Sequence, residues 1–161
     1  MKYLFLISLL LLNILIVNTS FQTTIFAKTN LDNKGKNLLL SPLSIFQVLG
    51  LTTNGAAGTT QKEMMTALEV STIENLNNIN FQLIKTIKKF NTTELANAVM
   101  SRIVPIKSFK KMCDKYEAPV ERLISVQQVN GWCKKKTHGK IDKIIDDLSP
   151  DIIMILINAV Y

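Results

Sequence analysis

Apolar and polar positions along this chain fall into two rhythms, and those rhythms divide it into elements. Leu4 to Val17 is apolar apart from Ser8 and Asn13, too short a run to cross a bilayer comfortably and the right length for a signal-peptide core. Lys2 supplies the positive start, and Thr19 and Ser20 are small enough for cleavage. Met1–Ser20 is therefore read as a secretory signal, an uncleaved anchor being the alternative, and residues 21–161 as one domain. Phe21 to Ala27 carries a short helical pattern with Phe21, Ile25 and Phe26 on one face, and Asp32 to Lys36 is a polar turn around Gly35. Asn37 to Leu40 is a brief apolar run with the length of a buried strand. It stops at Ser41-Pro42, where Ser41 caps a helix and Pro42 suits the first turn, since its missing N–H would be unpaired there anyway. Leu43, Phe46, Leu49 and Gly50 then recur at helical spacing, widened by Ile45, Val48 and Leu51 into a helix apolar on most sides and hence buried.

The same reading continues downstream. Asn54-Gly55 ends the buried helix, and Gly58-Thr59-Thr60 starts another, with Thr60 as cap and Glu63 completing a capping box. Asn75 to Phe90 is amphipathic, with Leu76, Ile79, Leu83, Ile87 and Phe90 on one side and Lys85, Lys88 and Lys89 on the other. Glu94 to Arg102 alternates in a way that leaves both faces fairly apolar, as in a covered strand. Ser108 to Tyr116 is a short helix with Phe109, Met112 and Tyr116 inward, and Pro119 to Leu123 an edge strand, where proline is tolerated. Val129, Trp132, Cys133 and Lys136 follow helical spacing up to a stop at Gly139. Ile152 to Tyr161 is a nearly unbroken apolar run, a strand meant to be covered on both faces.

Composition changes this picture only at the margins. The 161 residues are 47% hydrophobic, enough for a core once the leader is set aside, and the net charge is +7. Such a balance draws acidic partners, or simply keeps a surface solvated. The two cationic clusters, Lys85/Lys88/Lys89 and Lys134/Lys135/Lys136, interleave few aromatics, so nucleic-acid binding has little support. His138 is the only histidine and Cys113 and Cys133 the only cysteines, without finger-like spacing, so neither a metal site nor a Ser-His-Asp set is expected, and no cofactor. Secretion would permit a disulfide, but the thiols are read as free and partly buried. Asp142, Asp146 and Asp147 are read as a solvated helix face. Asn91-Thr92-Thr93 is an acceptor sequence for N-glycosylation.

Three stretches resemble the N-terminal part of the serpin family, in the family's order. The first is N-L-L-L-S-P-L-S-I from Asn37, followed by G-A-A-G-T-T and E-M-M-T-A-L. The second is E-L-A-N-A-V-M-S-R from Glu94. The third is V-N-G-W-C-K-K-K-T-H-G-K-I from Val129, with N-A-V-Y closing the chain. The resemblance implies an α+β fold with helices packed on a largely antiparallel central sheet, incomplete here because less than half of a complete serpin is covered and a buried strand ends the chain. It implies a secreted serine-protease inhibitor, not an enzyme. In the complete form a bait loop is cleaved, inserts into the central sheet and traps the protease as an acyl-enzyme.

The resemblance also implies roles for particular residues. Ser41, Ser44 and Asn158 match the small polar residues beneath the sheet that govern its opening. Trp132 pins its helix to the sheet, where Cys133 replaces the family's usual valine. Lys85, Lys88 and Lys89 match a helix that in some serpins binds glycosaminoglycans. No reactive centre lies in these residues, and no membrane contact is expected once the signal is removed. The alternative is a non-inhibitory secreted binding module or inert fragment with affinity for polyanions.

Overall fold

The computed structural model describes residues 19–38, 40–89 and 94–160. Among these, the elements run α1 (Thr19–Asp32), α2 (Pro42–Gly55), α3 (Gly58–Ala67), α4 (Ile73–Ile87), β1 (Leu95–Ser101), α5 (Lys107–Lys115), β2 (Val120–Arg122), α6 (Val126–Lys136) and β3 (Met154–Val160). The strands form one sheet in the order β2-β1-β3. It is mixed: β1 pairs antiparallel with β3 from Leu95↔Val160 to Ser101↔Met154, and parallel with β2 from Val99↔Val120 to Ser101↔Arg122. The longer pairing, β1 with β3, has the antiparallel sense expected from the resemblance, and the shorter, β1 with β2, does not.

Alternation along β1 explains how the sheet is held. Val99 faces a core shared with Leu51 of α2 and with Phe109, Cys113 and Tyr116 in and after α5. Its neighbour Met100 points the other way, into a core with Val129 of α6, Ile157 of β3 and Leu123. Both faces of the central strand are therefore covered, which is why its sequence is apolar in both registers. A third core joins Phe21, Phe46, Leu68, Val70 and Leu76, tying α1, α2 and α4 together behind the sheet. The Phe21 and Phe46 rings meet there at 5.7 Å.

Several boundaries differ from the pattern-based expectation, each for a local reason. The run from Asn37 to Leu40 is not a strand in its described part; none of the described strands lies beside it to complete a ladder. The first helix is longer than expected, from Thr19 to Asp32. Gly55 does not cap α2 but is its last residue; Ala56 takes the cap position, its N–H donating to Thr53 O at 3.3 Å. Thr60 lies inside α3; Ala57 occupies the cap position and makes no side-chain cap bond. The amphipathic helix stops at Ile87, and its N-terminus is capped by Thr72, whose Oγ1 accepts from Asn75 N at 3.0 Å.

Two further departures surround α6. It ends at Lys136, just before the stop expected at Gly139: His138 and Gly139 take positive φ of 49° and 79°, and Gly139 N donates back to Lys134 O at 2.8 Å. The acidic stretch after it is not helical either. Asn130 Oδ1 accepts from the amides of Ile144 (2.8 Å) and Ile145 (3.1 Å), and its Nδ2 donates to Ile145 O at 3.0 Å. Those bonds occupy the backbone groups a helix would need, so Asp142, Asp146 and Asp147 lie on an exposed loop. Lys134 pairs with Asp142 there at 2.9 Å, and Lys143 with Asp146. Ile152 and Ile153 precede β3 instead of opening it.

Candidate functional site

The contact between α2 and the sheet is where the polar residues of an otherwise apolar interior meet. Ser41 caps α2: its Oγ accepts from Ser44 N at 3.4 Å and from Ser44 Oγ at 3.0 Å. One turn on, Gln47 is 1% exposed and points at the sheet. Asn158 of β3 lies directly opposite Asn97 of β1. Its Nδ2 donates to Asn97 Oδ1 at 2.7 Å and to Gln47 Oε1 at 3.2 Å, and Asn97 Nδ2 donates on to Tyr116 O at 3.0 Å. A single polar chain thus crosses from α2 through both paired strands to the end of α5.

The structure brings Asn158 to Gln47 and Asn97, and pairs Ser41 with Ser44; it shows no bond joining the two sets. Gln47 and Asn97 were not singled out from the sequence. The available signal was a lone amide inside an apolar helix and another inside an apolar strand, since a buried amide needs partners. Gln47 Nε2 and Asn158 Oδ1 remain buried without a hydrogen-bond partner among the described residues.

A second buried network stands behind it. Asn54 and Asn77 exchange amide bonds at 2.7 and 2.9 Å, and Tyr116 Oη donates to Asn77 Oδ1 at 2.8 Å. Burial pushes the Tyr116 phenol well above its ordinary range, so it remains a donor. Gly50 leaves the space: a Cβ there would lie 2.7 Å from Asn80 Nδ2 and 3.2 Å from Tyr116 Oη.

The remaining candidate residues lie apart from this centre. Trp132, half-buried on α6, packs against the core of Met100, Leu123, Val129 and Ile157, while Val129 and Cys133 are the fully buried positions of that helix. Lys85 is in the last turn of α4, and Lys88 and Lys89 follow its end; all three are exposed, and Lys88 Nζ is 2.6 Å from Glu117 Oε1. Asn91 and Phe90 lie outside the described residues, as does the signal segment up to Asn18. Cys113 and Cys133 are both free and buried. Burial, helped by the neighbouring Asp114 charge, pushes the Cys113 thiol up to about 11, and burial raises Cys133 as well, so neither is a ready nucleophile. His138 Nε2 meets Glu94 Oε2 at 3.1 Å on the surface. Among the described residues no group of three His, Cys, Asp or Glu side chains could hold a metal ion, and no helix is long and apolar enough to cross a membrane.

A buried helix behind a mixed sheet, a second helix across its front and a polar seam between them together match a known architecture. A family model described as "Serpin (serine protease inhibitor)" matches residues 17–161. The chain belongs to the serpin family. Human Serpin B9 is 30% identical over 145 residues, which cover 81% of this chain and 39% of the relative. The leukocyte elastase inhibitor of Xenopus tropicalis is 27% identical over 160 residues, covering 89% and 42%. The thermophilic serpin tengpin in its latent state superposes with a TM-score of 0.73 at 33% identity, covering 79% of this chain and 38% of that one. Human thyroxine-binding globulin gives a TM-score of 0.81 at 23% identity over 92% of this serpin chain and 44% of its own, a likeness of fold. The serpin chain spans about two fifths of the length of the curated relatives it matches.

Proposed function

We propose that these residues form the N-terminal part of a secreted serpin whose complete form inhibits serine proteases by trapping them during insertion of a cleaved loop into the central sheet. The observation that carries this reading is the family match over residues 17–161, which includes the strands β1 and β3 and the helix α6 that such an insertion must accommodate. In this reading the sheet opens beside β3, and the seam of Gln47, Asn97 and Asn158, with Ser41 and Ser44 at the head of α2, sets how readily it does so. The polar bonds that join Gln47, Asn158 and Asn97 support that role, because they can be exchanged for other polar partners as strands separate, which an apolar contact cannot. Trp132 keeps α6 seated on the front of the sheet. Secretion is directed by Met1–Ser20, and Asn91 carries an N-linked glycan.

Lys85, Lys88 and Lys89 form a surface for glycosaminoglycans in the same reading. Lys88 is already engaged by Glu117, so the sulfated chain must compete with an exposed ion pair worth about 0–1 kcal/mol. The inhibitory reading is tested by expressing the longest polypeptide encoded in frame with these residues and titrating it against trypsin-like and chymotrypsin-like proteases. Stoichiometric loss of protease activity is expected. A polypeptide that leaves every protease active would favour a non-inhibitory binding role.

A further inference from the structure

Half of the exposed large apolar side chains among the described residues share one end of the sheet: Ile103, Val104, Ile106, Ile124 and Ile153. The topology puts them there. β1 and β2 run parallel and finish side by side at Ser101 and Arg122, and Met154, the first residue of β3, lies opposite Ser101. The segments leaving those three points therefore emerge together. They are also fastened to each other. Arg102 N donates to Ile153 O at 2.8 Å, and the Arg102 guanidinium donates to Pro150 O at 2.9 Å and Ser149 O at 3.3 Å. Ser101 Oγ donates to Ile103 O at 2.8 Å and accepts from Ile103 N at 3.3 Å, which fixes the turn that presents Val104, 91% exposed, and Ile106, 72% exposed.

Cations lie beside part of this group: Arg102, Lys110 and Arg122 line one pocket with Ile103 and Val104. Arg102, Lys107, Lys110 and Arg122 are all exposed, against Glu121 and Asp151 as acids at the same end. Lys107, Lys110, Lys111 and Lys115 recur along α5 at helical spacing, so the basic surface continues up that helix. Protruding aliphatic side chains with exposed cations beside them mark an interaction surface. A protein partner would be expected to meet aromatic anchors, which this patch lacks, and a sulfated polysaccharide would gain nothing from the isoleucines.

We propose that this end of the sheet docks on anionic phospholipid membranes, with Val104 and Ile106 entering the headgroup region and Arg102, Lys107, Lys110 and Arg122 meeting lipid phosphates. The surface goes beyond the inhibitory reading: it uses no residue of the α2–sheet seam and stands or falls independently of it. Aliphatic insertion supplies the apolar part of such binding, and each cation near an anionic leaflet adds to it.

Vesicle co-sedimentation tests the proposal, using the secreted protein after its N-terminus has been sequenced to verify that the signal is gone. The protein should bind phosphatidylserine-containing vesicles and not neutral phosphatidylcholine vesicles. The V104S/I106S variant, changed only at exposed positions, should bind the anionic vesicles about a hundredfold more weakly, since each buried aliphatic side chain contributes on the order of a tenfold change. Its retention on a heparin column should be unchanged, whereas K107A/K110A/R122A should lose vesicle binding. Equal vesicle binding by V104S/I106S, or retention on heparin with no vesicle binding at all, would overturn the proposal. The first would leave only diffuse charge, and the second would leave this end of the sheet without a lipid role.

Discussion

The seam between α2 and the sheet makes a prediction that separates two arrangements of the same residues. Asn158 donates to Asn97 Oδ1 at 2.7 Å and to Gln47 Oε1 at 3.2 Å, while Ser41 and Ser44 bond to each other. Replacing Asn158 by alanine removes two hydrogen bonds, worth about 1 kcal/mol each, and strands the buried Gln47 acceptor; it also removes the Asn158 Oδ1 that has no partner. These contributions oppose one another and leave a net loss of about 1–2 kcal/mol. Ser41→Ala removes a helix cap and costs about 1 kcal/mol. In double-mutant cycles, Asn158→Ala and Gln47→Ala should couple by about 0.5–1 kcal/mol because they share a bond. Asn158→Ala and Ser41→Ala share no partner and should add to within about 0.5 kcal/mol. Urea unfolding followed by fluorescence is a direct assay, since Trp132 is the only tryptophan and lies between α6 and the sheet. Coupling of Asn158 with Ser41 as large as that with Gln47 would refute the geometry described here.

Three further outcomes follow from named contacts. Gly50→Ala should destabilise by about 1–3 kcal/mol in thermal or urea unfolding despite alanine's better helix propensity, because the added Cβ falls 2.7 Å from Asn80 Nδ2; an unchanged or raised midpoint would be the contrary result. The Cys113 thiol is raised in the fold from 9.0 to about 11, so the unfolded chain gives up this proton first; the associated stability is intact below about pH 9 and is lost as pH rises towards 11. Cys113→Ala should therefore flatten the decline in unfolding free energy over that window, and a slope equal to wild type would argue against it. On a heparin column, K85A/K88A/K89A should elute at much lower salt than wild type, and K134A/K135A/K136A only slightly lower; equal shifts would mean that net charge alone governs retention.

How far the fold could be read from the chain depended on whether an element is defined by its own residues or by its neighbours. Ser41-Pro42 carries its own start signal, and α2 begins there as expected. β1 and β2 were legible because apolar alternation and an N-terminal proline constrain a strand locally. A segment that shifted was set by a distant partner: Asn130 decides that the stretch around Ile145 is not helical. Asn158 could be matched to a role, but its bonding to Gln47, 111 positions away, could not be obtained from spacing. The apolar end of the sheet escaped notice for the same reason, since Ile103, Ile124 and Ile153 are ordinary residues until the strand pairing gathers them.

The central claim is that this framework belongs to a protease-trapping serpin, and one gel measures it. The longest polypeptide encoded in frame with these residues is mixed with trypsin-like and chymotrypsin-like serine proteases, denatured in SDS and separated by mass. The account predicts a band at the combined mass of protease and cleaved inhibitor that survives denaturation, formed with an active protease and not with one whose catalytic serine is blocked, and no such band from residues 1–161 by themselves. No adduct with any active protease, or an adduct formed by residues 1–161 alone, would contradict it.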